Sequence, residues 1–207
     1  SCPKARGFPR RVAAVANGIG DRVQDRIVWI DCEMTGLDLS ADALVEVAAL
    51  VTDAELNILG DGIDVVIKPP AAALAQMNEI VVQMHTSSGL LEELDSGTSL
   101  ADAEDAVLDY IRTWVPDPGK APLAGNSVST DRGFLSRDMT RLGNHLHYRL
   151  LDVSSLTDLP RPWFPRVYFS SPEKHGGHRA LADVRESIEG LKYYREALCV
   201  APPGPDS

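Results

Sequence analysis

The segment IVWIDCEMTGL, from Ile27 to Leu37, constrains the fold more than any other stretch of the chain. It reads as an apolar strand that ends in two carboxylates, Asp31 and Glu33, one residue apart. Side chains in a strand alternate between faces. Val28, Ile30, Cys32 and Met34 therefore share one wholly apolar face. Ile27, Trp29, Asp31 and Glu33 share the other, which turns from apolar to doubly acidic. Like charges side by side raise each other's cost unless a cation neutralises both. A bare D-x-E is ordinarily a solvated strand end, so its meaning depends on the acids that follow.

The surrounding pattern predicts three strands at about 26–34, 43–52 and 57–68. The polar stretch VTDAELNILG turns the second into the third, as in a β-meander, and Pro69-Pro70 ends the third. A helix is expected over about 72–83, and a short one capped by Ser87 or Ser88. SLADAEDAVLDYIRTWV is an amphipathic helix: Leu100, Ala103, Val107, Ile111 and Trp114 recur at helical spacing, with Ser99 and Asp102 resembling a capping box. A short strand APLAGN, a helix over about 131–142 and a strand-to-helix segment YRLLDVSSL follow. Residues 158–177, rich in proline and glycine, read as an irregular loop. The last helix covers about 179–198, with Leu181, Val184, Ile188, Leu191 and Leu198 toward the core. Strands first, then alternating helices and strands, give an α/β domain with a mixed sheet. Residues 1–24 read as a flexible extension and 201–207 as a disordered tail, which leaves one domain over 25–200.

Of the 207 residues, 44% are hydrophobic, enough for a sizeable core. No apolar run approaches the ~20 residues of a membrane span. The three cysteines are far apart and form no C-x-x-C, so a reducing, cytoplasmic setting is expected. The net charge of −10 argues against coating long nucleic acid, because such binding rests on many Lys and Arg contacts to phosphate. A short phosphate substrate held through metal ions remains compatible.

Three further residues carry chemistry. Asp131 follows a short strand at a helix start, and Asp183 lies early in the last helix. His178 precedes Asp183 by five positions. Inside one helix that spacing would turn the pair about 140° apart, so His178 belongs on the loop or cap before the helix. Singly, each has an ordinary reading: a first-turn acid favoured by the helix dipole, a solvated helix acid and a capping histidine.

Together and in this order, D-x-E, a distant Asp and H-x-x-x-x-D match the pattern of the DEDDh exonucleases, a branch of the ribonuclease H-like superfamily. The blocks WIDCEMTGL, AALVTDAELNILG, MHTSSGL, APLAGNSVSTDRGFL, HYRLLDVSSL and HRALADVRES closely resemble the oligoribonuclease family over about residues 26–200. SPEK and PGPDS resemble its actinobacterial members. The resemblance implies a ribonuclease H-like α/β fold with a mixed five-stranded sheet flanked by helices. It implies 3′→5′ hydrolysis of very short RNA to 5′-mononucleotides. Asp31, Glu33, Asp131 and Asp183 would hold two Mg²⁺ or Mn²⁺ ions, hard cations suited to carboxylate and phosphate oxygens. His178 would be the general base. Leu37 would wedge between bases at the 3′ end, beside Met34 and Gly36, with His85 lining the same pocket. Ser127, Arg149 and Ser154 would bind the 5′ phosphate. A homodimer would complete each site with Tyr148 of the neighbouring chain.

The chain also departs from the family. TDLPRPWFPR replaces a basic helical stretch, Pro160 and Pro162 would interrupt a helix there, and Thr157 stands where a Lys is common. An aromatic usual before HTxSGL is replaced near Ile80. A DNA-directed or proofreading exonuclease shares the acid pattern. A silent RNA-binding module would be signalled by loss of an acid, and all five positions are intact.

Overall fold

A computed structural model of the chain describes residues 25–172 and 177–200. The expected extension, 1–24, and the tail, 201–207, lie outside the described residues. β1 (Ile27–Met34), β2 (Leu44–Thr52) and β3 (Ile58–Val66) form an antiparallel meander. β4 (Leu123–Gly125) pairs parallel to β1, and β5 (Leu150–Asp152) parallel to β4. The sheet is mixed and five-stranded, in the order β3-β2-β1-β4-β5.

The helices are α1 (Ala71–Ala75), α2 (Glu79–Ser87), α3 (Leu90–Glu93), α4 (Leu100–Trp114), α5 (Ser129–Asp138) and α6 (Thr140–His145). They continue with α7 (Val153–Asp158), α8 (Pro160–Trp163), α9 (Pro165–Phe169) and α10 (Ala180–Leu198). Strand alternation assigns the two faces of β1. Val28, Ile30 and Cys32 join a core with Ala103, Val107 and Ile111 of α4 and with Phe134 of α5. Trp29 turns to the opposite face, against Val184 and Ile188 of α10. Its indole N–H donates to Thr52 Oγ1 at 3.0 Å, so the largest buried ring keeps its polar group satisfied. Among the described residues no helix is long and apolar enough to cross a membrane.

Five expectations are corrected. The helix over 72–83 divides into α1 and α2, because Asn78 leaves helical geometry and its side chain caps Val81 N at 3.0 Å. The residue before α3 is neither Ser87 nor Ser88 but Gly89, at φ 78°, and it makes no side-chain cap. The helix over 131–142 breaks at Met139 into α5 and α6. In the stretch expected to be irregular, Pro160 and Pro165 open α8 and α9. A proline at a helix start lacks only an N–H that has no partner there anyway. Leu198 is only half-buried, while Val184 and Ile188 sit in the core.

Candidate active site

β1 pairs with β4 only at Val28 and Trp29. β4 ends at Gly125, where an added Cβ would meet Ile30 O at 2.9 Å. Beyond that point β1 no longer pairs with β4, and Asp31 and Glu33, at the carboxyl end of the strand where open α/β sheets bind ligands, form one wall of the candidate site. Asp131, in the first turn of α5, is tied to the same strand: its Oδ1 accepts from Cys32 N at 2.9 Å, and the residue is 6% exposed. A shift in the β1–β2 register between Glu33 and Met34 re-aims the strand at this place.

The other wall is the start of α10. Glu33, His178 and Asp183 each offer a ligand atom, and these atoms lie within 4.8 Å of one another. His178 is outside the helix with φ 47°, a backbone region that costs a non-glycine residue energy and that functional sites retain. The histidine expected to act as base therefore also has a ring nitrogen close enough to the Glu33 and Asp183 carboxylates that the three could hold one ion together. Burial, with the charges of Asp131, Glu33, Asp183 and Glu46, pushes the Asp31 carboxyl from 3.8 up to about 9. Burial, Asp183, Glu46 and Asp131 push Glu33 up to about 7. Asp131 rises to about 6 by burial, against backbone N–H groups that favour its charge. Carboxyls that hold protons because they are buried, and in Asp31 and Glu33 also because like charges crowd them, are a donor set that a divalent cation fits.

His85 is 1% exposed. Its Nε2 is 2.9 Å from Met34 O, so that nitrogen carries the proton and donates. Nδ1 has no hydrogen-bond partner and lies 4.0 Å from Glu33 Oε2. Met34 thus reaches the site through its carbonyl. Beyond it, Asp42 organises the loop: it accepts from Thr35 Oγ1 and from Asp38 N, each at 2.9 Å. Gly36 allows this, since a Cβ there would sit 2.3 Å from Asp42 Oδ2. Leu37 is left 75% exposed at the loop tip. Arg137 of α5 holds the far side by donating to the carbonyls of Leu39 and Asp42.

Ser127 and Ser154 come together around Asp152. Asp152 Oδ1 accepts from both backbone N–H groups at 3.0 Å, and the two hydroxyls are 3.3 Å apart. Ser127 is the second site residue in left-handed geometry, at φ 50°. Arg149 is not brought to this pair. It donates to Tyr148 Oη at 3.2 Å and lies over the Tyr148 ring. Tyr148 is 74% exposed, and among the described residues no hydrogen bond joins it to Asp31, Glu33, Asp131 or Asp183.

Two groups escaped the sequence reading. Glu46 lies at 0% exposure in β2, opposite Glu33. A glutamate inside the otherwise apolar LVEVAALV was the available signal. Asn126 ties β4 to α10 by donating to Ser187 Oγ at 2.6 Å, and Ser187 donates to Asp183 O at 2.9 Å. Nothing in their spacing links these two.

An exonuclease family model, RNase_T, matches residues 28–191. Curated relatives include an oligoribonuclease of Streptomyces coelicolor, 68% identical over 185 residues, covering 89% of this chain and 92% of the relative. An oligoribonuclease of Cutibacterium acnes is 61% identical, covering 87% and 90%. One from Mycobacterium sp. strain KMS is 60% identical, covering 89% and 86%. Among solved structures, the zinc-bound form of the E. coli ExoI–ssDNA complex shares the fold, with a TM-score of 0.67 at 18% identity. It covers 84% of this chain, which spans only 41% of that one. With its acids, histidine and sheet arranged as described, and with relatives this similar over nearly their full length, the chain belongs to the exonuclease family and, within it, to the oligoribonucleases.

Proposed function

We propose that the protein is a 3′→5′ exoribonuclease that hydrolyses very short RNA, dinucleotides above all, to 5′-mononucleotides. The observation that carries this reading is the convergence of Glu33, His178 and Asp183 within 4.8 Å, beside Asp31 and Asp131. Asp31, Glu33, Asp131 and Asp183 would hold two divalent cations, Mg²⁺ or Mn²⁺. When bound, such ions make hydroxide available near neutral pH and offset charge on the leaving oxygen. His178 takes the proton of the attacking water, the general-base role that histidine fills most often. Leu37 packs between the last bases, in keeping with an apolar side chain left in solvent at the tip of a braced loop. His85 shapes the same end through Met34 O. Ser127 and Ser154 receive the 5′ phosphate, and Arg149 becomes its cation only by turning away from the Tyr148 ring on which it rests.

The reading includes a homodimer. Trp163, Phe164 and Phe169 of the α8–α9 region are 66%, 52% and 78% exposed, an apolar surface that a second copy would cover. Tyr148 then enters the neighbour's site. Thr157 leaves the phosphate end one cation poorer, since its hydroxyl is bonded to Val153 O within α7.

Incubation of labelled 2-mer to 10-mer RNAs with Mg²⁺ or Mn²⁺ tests the reading. The expected products are 5′-mononucleotides released from the 3′ end, with a higher kcat/KM for the 5′-phosphorylated dinucleotide than for the 7-mer. Internal cleavage, or equal action on DNA and RNA of every length, would refute it.

A further inference from the structure

The start of α10 is held by contacts that no helical propensity supplies. Arg179, next to His178, reaches in two directions. Its Nε donates to Glu46 Oε1 at 2.8 Å. Its two terminal nitrogens fork onto Glu93 at 2.9 and 3.1 Å. Glu46 Oε2 accepts from Ala180 N, the first N–H of α10, at 2.8 Å. Arg179 is the residue before the helix and makes no side-chain cap of its own, so a carboxylate from β2 replaces one. Glu46 is fully buried and Glu93 half-exposed, so the guanidinium joins a rigid central strand to the end of α3. A bidentate guanidinium fixes orientation as well as distance. The residue it anchors follows directly on His178, whose φ of 47° needs surrounding contacts to persist.

We propose that Arg179, locked between Glu46 and Glu93, is a positioning residue for the reaction: it holds His178 in its strained backbone geometry, with the ring toward Glu33 and Asp183. This rests on the hydrolytic reading above. Arg179 touches neither substrate nor water in this account. Its effect passes through His178, and its loss lowers kcat while leaving KM and cation dependence in place.

A double-mutant cycle tests this with full-length protein, a 5′-phosphorylated dinucleotide and Mn²⁺. The four proteins are wild type, His178→Ala, Arg179→Lys and the double variant. Lysine keeps the positive charge near Glu33 but cannot fork between two carboxylates. Arg179→Lys is expected to lower kcat by on the order of 10²-fold, the effect of a small misplacement, with KM and half-saturating Mn²⁺ within about threefold of wild type. In the His178→Ala background the same change is expected to cost nothing further, since groups acting as a unit are not additive. Equal losses in both backgrounds would overturn the proposal, as would a loss carried by KM or by Mn²⁺ dependence. If Arg179→Lys lacks a cooperative thermal transition, Glu93→Gln, which leaves the Glu46 pair intact, takes its place with the same outcomes deciding. A wild type that does not cleave the dinucleotide refutes the hydrolytic reading and the coupling with it. A cleaving wild type with additive losses refutes the coupling alone.

Discussion

Asp31 shows how one residue can be set against folding and for chemistry. Its carboxyl holds a proton up to about pH 9 in the folded chain and near 3.8 outside it. The folded state therefore binds more protons between those values, and stability falls as pH rises through that window. Glu33, pushed up to about 7, adds to the same slope. Chelator-treated protein should melt at progressively lower temperature from about pH 5 to about pH 9. Saturating Mn²⁺ should flatten the slope by replacing the protons, and Asp31→Asn should flatten it without metal. Thermal denaturation across pH checks this, and an apo protein that becomes more stable as pH rises would contradict it. Asp31, Glu33, Asp131, Asp183 and His178 stood out in the sequence only together, because their order matches the DEDDh pattern while each alone has an ordinary reading. Glu46 did not, because a lone glutamate in a strand has no meaning until Arg179, 133 positions away, is found beside it.

At the scale of elements, the three long strands were readable as short apolar runs bounded by turn residues, β2 being buried along its whole length, and α4 and α10 from helical spacing. The breaks were harder. Asn78 and Met139 interrupt segments whose apolar pattern continues across them, and the proline-rich stretch holds short helices that begin on the prolines themselves. Helix starts supplied from elsewhere were invisible. Glu104 of α4 accepts from Arg141 N and Leu142 N at 2.7 and 3.1 Å, and so caps α6 as Glu46 caps α10. Glu104→Ala should strand those N–H groups and lower stability by about 1–3 kcal/mol. Denaturant unfolding measures the loss. Dinucleotide kcat should stay near wild type, because Glu104 lies on the α4–α6 side of the sheet, away from α10. A kcat loss as large as that of His178→Ala would show that the two helix starts are not independent.

For the whole molecule, a net charge of −10 gives RNA no general attraction, so preference for short chains has to come from a closed site. In the proposed reading one end would be the Leu37 loop and the acids, and the other the Ser127–Ser154 pair with a neighbouring chain over it. If Tyr148 completes the neighbour's site as proposed, mixing inactive Asp31→Ala subunits with inactive Tyr148→Ala subunits should restore part of the activity: one mixed site has both groups. Demonstrated subunit exchange with no recovery would remove Tyr148 from the neighbour's site. The acid cluster itself remains the centre of the account. The most direct measurement is turnover of a 5′-phosphorylated dinucleotide by Asp31→Ala at Mn²⁺ concentrations that saturate the wild type. The account predicts no measurable turnover from a variant that still folds cooperatively. Turnover near the wild-type rate, or wild-type turnover that survives complete chelation, would contradict it.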